Sequence, residues 1–134
     1  LTDGIIVDSS ALLAILFGEP ESAAIEGALI EAPERRISAF SLLEAGTVAF
    51  GRKGFPGRTR FDALCQAYFL ETAALSSRQV ELAREAYARF GKGFHPAGLN
   101  LGDCCSYALA KVTGLPLLCK GDDFPRTDLP LVRY

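Results

Sequence analysis

Residues 4 to 10 read Gly4-Ile5-Ile6-Val7-Asp8-Ser9-Ser10. Three branched apolar residues run into a carboxylate, and two hydroxyl residues follow. Branched side chains fit the pleated, buried surface of a strand. Aspartate and serine are the residues that open helices. The stretch therefore reads as a short buried strand that ends in an acid, with a helix starting at once. In open α/β folds the ligand site lies outside the carboxyl ends of the parallel strands, so Asp8 stands where a site residue would stand.

The same grammar repeats along the chain. A first helix is expected over 10–17, stopped by Gly18-Glu19-Pro20, and a second over 21–31, stopped by Pro33. Arg35-Arg36-Ile37-Ser38-Ala39 reads as the second strand, and Ser41-Leu42-Leu43-Glu44 opens a third helix reaching Gly51. Gly51-Arg52-Lys53-Gly54-Phe55-Pro56-Gly57 reads as a basic loop, because glycine and proline punctuate local structure. Phe61, Leu64, Cys65, Tyr68 and Phe69 then recur at helical spacing over 59–69. A short strand is expected over 72–75, and Ser77 is expected to cap a helix running to Phe90. A loop over 91–98 leads to Asn100-Leu101-Gly102-Asp103, which opens a helix closed by Gly114. Residues 115–119 read as a buried strand and 131–134 as the last one. Strands alternating with helices predict an α/β fold: a central, mostly parallel sheet of about five strands flanked by helices. No linker, repeat or low-complexity tract divides the 134 residues, so residues 1–134 are expected to form a single domain.

Composition narrows the chemistry. Hydrophobic residues make up 49% of the chain and the formal net charge is −2. A slightly acidic globular chain does not coat nucleic acid by bulk charge; to act on it, it needs placed cations and metal ions. The longest apolar run, 11–17, is far too short to span a bilayer, and the first residues lack the pattern of a secretory signal. A cytoplasmic protein without membrane contact is expected. The four cysteines form no C-x-x-C pair and His95 is the only histidine, which argues against zinc and for buried thiols in a reducing compartment. His95, in a glycine-rich loop before a proline, reads as structural. Nucleotide-cradling glycine loops are absent.

Four acids recur at comparable junctions: Asp8, Glu44, Asp103 and Asp122. Each has an ordinary explanation. Asp8 can cap the first helix; Glu44 stands three residues after Ser41, the spacing of a capping box; Asp103, three residues after Asn100, complements the positive end of its helix; Asp122 lies in a turn. Taken together they say more. Asp8 and Asp122 follow strands, Glu44 and Asp103 lie in first helical turns, and a parallel sheet brings all four to one edge. Carboxylates gathered in this way repel one another unless a divalent cation joins them. Hard oxygen donors suit Mg2+ or Mn2+, and such an ion favours phosphodiester hydrolysis by an activated water.

Several segments carry a resemblance that spans nearly the whole chain in order. They are Val7-Asp8-Ser9-Ser10-Ala11-Leu12, Phe17-Gly18-Glu19-Pro20-Glu21, Ile37-Ser38-Ala39 with Ser41-Leu42-Leu43-Glu44-Ala45, His95-Pro96-Ala97 with Leu99-Asn100-Leu101-Gly102-Asp103-Cys104, and Leu118-Cys119-Lys120-Gly121-Asp122-Asp123-Phe124. The chain resembles the VapC-type toxins of the PIN-domain ribonucleases. The resemblance implies a PIN fold and the toxin role in a type II, VapBC-like toxin–antitoxin system. It implies Mg2+- or Mn2+-dependent endonucleolytic cleavage of RNA, tRNA or another structured RNA among the targets. It further implies a VapB-like antitoxin and a homodimer, both docked on the early helices, whose apolar faces exceed what a small sheet covers. On this resemblance Asp8 and Asp103 are the main metal ligands, Glu44 binds metal or orients the attacking water, and Ser10 hydrogen-bonds near the metal. The fourth acid is Asp122 or its neighbour Asp123, with Asp122 preferred. Arg52, Lys53, Arg58 and Arg60 would form a basic rim for the RNA backbone. The rival reading is a catalytically inactive protein-binding module on the same fold. A phospho-acceptor receiver domain fits worse, because no aspartate follows a central strand between Asp8 and Asp103.

Overall fold

The first strand, β1, spans Ile5–Val7, and each of its residues is buried. Successive strand residues face opposite sides of a sheet, and here both sides are apolar. Ile6 joins one core cluster, while Ile5 and Val7 join the other. A strand buried on both faces is a central strand of a parallel sheet covered by helices on each side.

The computed structural model describes residues 3–134 and builds that arrangement. After β1 come α1 (Ser9–Leu16), α2 (Ser22–Glu31), β2 (Arg35–Ser38), α3 (Ala39–Ala67), β3 (Glu71–Ala73), α4 (Ser77–Phe90), α5 (Leu101–Thr113), β4 (Leu117–Leu118) and a single 3-10 turn at Phe124–Arg126. The four strands are parallel, in the order β3-β2-β1-β4. Leu12, Ile25, Leu29, Ala45 and Phe61 from α1, α2 and α3 cover one face. Ala83, Ala86, Phe90, Tyr107 and Leu109 from α4 and α5 cover the other. Burying each large aliphatic or aromatic side chain contributes about 1.5–3 kcal/mol, so both layers are held mainly by the sheet between them.

The structure corrects the sequence reading in three places. The sheet has four strands among the described residues, not five: of residues 131–134 only Leu131 makes a bridge, to Leu117. The basic loop expected over 51–57 is helical, apart from one residue. Gly54 takes φ 62°, ψ −154°, which bends α3 into two segments, and Pro56, which has no N–H to donate, follows the bend. A Cβ on Gly57 would lie 2.6 Å from the Ala49 carbonyl oxygen, so glycine lets the second segment start close against the first. Finally, α4 is capped by Ser76, whose hydroxyl accepts from the Gln79 N–H at 3.2 Å, rather than by Ser77. All four cysteines are free and three of them are buried. Among the described residues no helix is long and apolar enough to cross a membrane.

Candidate active site

Asp8 is the residue immediately after β1, and it is only 2% exposed. Its backbone N–H donates to the Leu118 carbonyl at 2.9 Å, which fixes the exit of β1 against β4. Both carboxylate oxygens are occupied: Oδ2 accepts from the Ser10 N–H at 3.0 Å, capping α1, and Oδ1 accepts from the Ser106 hydroxyl at 2.5 Å. A buried carboxylate stays charged only if such donors replace water. Asp8 is thus both the cap of α1 and the most deeply set acid of the site.

Glu44 sits in the second turn of α3. The capping-box reading of Glu44 does not hold: the N-cap of α3 is Ser38, and Ser41 lies inside the helix with its hydroxyl 3.0 Å from that of Ser106. Glu44 Oε1 instead accepts from the Ser9 hydroxyl at 3.2 Å, which draws it toward Asp8. Burial raises its pKa; the Ser9 bond opposes that shift and the Asp8 charge adds to it.

Asn100 and Asp103 form a reciprocal capping box at the start of α5. The Asp103 N–H donates to Asn100 Oδ1 at 2.8 Å, and the Asn100 N–H donates to Asp103 Oδ2 at 3.0 Å. Asp103 is still not merely a cap. Burial foremost, against the bond from Asn100, pushes its carboxyl up to about 7, and the charges of Asp8, Asp123 and Glu44 push in the same direction.

The chain leaving β4 brings the last acids. Asp122 and Asp123 are both exposed, but it is Asp123 whose charge reaches Asp103 and the Cys119 thiol, and Asp122 is not among the groups acting on either. Three of the four acids named from the sequence, Asp8, Glu44 and Asp103, are therefore brought together, with Asp123 beside them. The Ser10 hydroxyl accepts from the Lys120 N–H at 2.9 Å and so pins the start of this segment to α1. The Lys120 ammonium bridges Glu19 at 3.0 Å. His95 is structural: its Nδ1 accepts from the Ala97 N–H at 3.0 Å and its ring packs edge-on against Phe90. Arg52, Lys53, Arg58 and Arg60 are exposed along the bent α3, and the Arg52 guanidinium lies 4.6 Å over the Phe17 ring.

Sequence reasoning missed Ser106, Ser41 and Gly102. The signal for Ser106 was present, since it stands one turn beyond Asp103 and so shares its helix face. Ser38, at the end of β2, is fully buried with no partner for its hydroxyl. The register that pairs Ile6 with Arg36 sets it level with Asp8.

The donor set is all carboxylate oxygen, the chemistry of a hard divalent cation. Among the described residues no three His, Cys, Asp or Glu close into a ready ligand set. The arrangement fits an ion held by one or two carboxylates with water in its remaining positions, which is the usual habit of Mg2+.

The family model described as PIN domain matches residues 5–129. A protein named ribonuclease VapC from Mycolicibacterium smegmatis is 46% identical over 127 residues, covering 95% of this chain and 98% of the relative. The crystal structure of Mycobacterium tuberculosis VapC20, titled a sarcin-ricin loop cleaving toxin, superimposes with a TM-score of 0.80 at 20% identity, covering 97% of this chain and 99% of that one. A toxin–antitoxin complex from Klebsiella pneumoniae superimposes with a TM-score of 0.71 at 19% identity, covering 97% and 98% of the two chains.

Proposed function

This chain belongs to the PIN domain family, among the VapC ribonucleases, and from that premise we propose that Asp8, Glu44, Asp103 and Asp123 form the centre at which it cuts RNA. The protein is an endoribonuclease, the toxin of a VapBC-like toxin–antitoxin pair. The observation that carries the site assignment is the convergence of carboxylates from the end of β1, from α3 and from the β4 exit on Asp103 of α5, whose carboxyl they help burial to push up to about 7.

Asp8 and Asp103 hold the divalent ion, Mg2+ or Mn2+. Bound there, the ion supplies charge neutralisation at the scissile phosphate and lowers the pKa of water. Asp8 is fixed at both oxygens, by the Ser10 N–H and the Ser106 hydroxyl. Glu44, with only Oε1 engaged, orients the attacking water. Water attacks phosphorus in line, the P–O bond to the leaving ribose oxygen breaks, the proton of the attacking water is taken up at a carboxylate, and the departing ribose oxygen takes a proton from solvent water. Asp123, or Asp122 as the sequence alone preferred, completes the acidic cluster. Arg52, Lys53, Arg58 and Arg60 meet the RNA backbone with charge rather than base readout.

The partner is a VapB-like antitoxin. It docks in the apolar groove of about 750 Å³ along α3, lined by Leu42, Leu43, Phe50, Phe55 and Phe61. Leu43 and Phe55 are each 68% exposed there, an unusual state for residues of that size in a free protein. For a second copy of the chain, the exposed apolar residues Val80, Tyr87 and Leu101 of α4 and α5 support pairing on that face in place of the early helices expected from the resemblance.

The test is cleavage of a total tRNA and structured-RNA pool by antitoxin-free protein, with Mn2+, with Mg2+, with EDTA, and with Asp8→Asn alongside. Discrete cuts that require both the ion and Asp8 are expected. Equal cutting by Asp8→Asn would remove Asp8 from the centre. No cutting by the folded parent under any condition would move the chain to the binding-module reading.

A further inference from the structure

Two hydroxyl groups sit beneath the acids and join the three elements that carry them. Ser41 of α3, Ser106 of α5 and Asp8 at the end of β1 are each no more than 2% exposed. The Ser106 hydroxyl lies 2.5 Å from Asp8 Oδ1 and 3.0 Å from the Ser41 hydroxyl. Proton counting fixes the direction of both bonds. A carboxylate only accepts, and a serine hydroxyl has one hydrogen. Ser106 therefore gives its hydrogen to Asp8, and Ser41 must give its own to Ser106.

Each serine is also one helical turn from an acid of the site. Ser41 precedes Glu44 by three residues on α3, and Ser106 follows Asp103 by three on α5. The chain Ser41–Ser106–Asp8 thus crosses from one acid-bearing element to the next at a level where water cannot substitute. Asp8 Oδ2 is already held by the Ser10 N–H, so the bond from Ser106 is what stops the carboxylate from turning about that second anchor.

We infer that Ser106, aligned by Ser41, is a positioning residue that aims the Asp8 carboxylate and sets the spacing of Asp8, Glu44 and Asp103 for the divalent ion. The inference rests on the reading that Asp8 belongs to the cleavage centre. Losses of roughly 10- to 100-fold in ion affinity are typical when a ligand loses its outer hydrogen-bond partner. Ser106→Ala falls in that range, and Ser41→Ala, which leaves the Ser106–Asp8 bond in place, loses less. Ser106→Cys keeps a polar atom at the same branch point, on a longer bond and with a larger atom, but donates weakly, so it follows the alanine variant and not the parent.

The experiment measures Mn2+ binding by titration calorimetry and RNA cleavage on parent, Ser106→Ala, Ser106→Cys, Ser41→Ala and Asp8→Asn, with thermal unfolding of each. The expected result is weaker Mn2+ binding and lower kcat at unchanged KM for RNA in both Ser106 variants, with folded protein throughout. If Ser106→Ala does not fold, Ser106→Cys decides. Parental Mn2+ affinity and cleavage in a folded Ser106 variant, while Asp8→Asn is inactive, would overturn the positioning role and leave the site reading intact. Parental activity in Asp8→Asn would overturn the site reading itself.

Discussion

The Glu44 carboxylate fills the space into which Gly102 would project a Cβ: all three of its outer atoms lie inside van der Waals contact of that position. The N-terminus of α5 can approach α3 this closely only because residue 102 has no side chain. Gly102→Ala must therefore move Glu44. Alanine is otherwise the better helix former by about 1 kcal/mol. Stability and activity should part: the melting temperature holds or rises, while cleavage falls on the order of tenfold to a hundredfold, as small misplacements of reacting groups do. Thermal unfolding and single-turnover cleavage on the same sample check this. Full activity in the alanine variant would show that the position of Glu44 is uncritical.

Asp103 gives a pH dependence of definite sign. In the folded chain its carboxyl is pushed up to about 7, whereas an unfolded aspartate titrates near ~3.9. Between those values the folded state keeps a proton that the unfolded state has released. The metal-free protein therefore loses stability from this group as pH rises from about 4 to about 7, and levels off above. Glu44, also raised, contributes in the same direction. Asp103→Asn should flatten the slope of urea midpoint against pH in EDTA, and Mn2+ should restore stability selectively at the higher pH. An unchanged slope in the variant would place the titration elsewhere.

The two adjacent aspartates after β4 should differ in effect. The charge of Asp123 reaches Asp103, so Asp123→Asn should lower cleavage about tenfold or more and weaken Mn2+ binding. Asp122→Asn should stay within about twofold of the parent, as exposed substitutions usually do. Parallel kinetics of the two variants decide the assignment, and the reverse order would return the role to Asp122.

Phe55 tests the partner surface separately from the chemistry. It is exposed on the bent α3 and stacks edge-on with Phe50 at 5.0 Å. Exposed aromatic residues of this kind are the usual anchors of a docked partner. Phe55→Ala should leave RNA cleavage at the parental rate and weaken capture by a VapB-like antitoxin at least tenfold in a binding titration. Unchanged capture would move the docking site off this groove.

Much of the fold was legible because the signals are local. The buried pattern of β1 and the opening of a helix at Asn100 depend on neighbours within a few residues. The continuation of helix through 51–57 was not legible. Glycine and proline look the same in a loop and at a one-residue bend, and only packing of the two α3 segments separates them. The same holds for 131–134, where four strand-like residues make a single bridge because little of β4 is left to pair.

The sequence by itself determined which chemistry was available: four acids at strand ends and helix starts, with hard oxygen donors and no competing nucleophile. That follows from residue type and spacing, which survive any arrangement of a parallel sheet. Only the tertiary structure decided how those acids are held. Ser106 lies 98 residues from Asp8 along the chain, and Ser41 lies 65 from Ser106. Which hydroxyl meets which carboxylate, and which of two neighbouring aspartates faces Asp103, depends on distances of a few ångströms set by helix packing, and no local pattern encodes them.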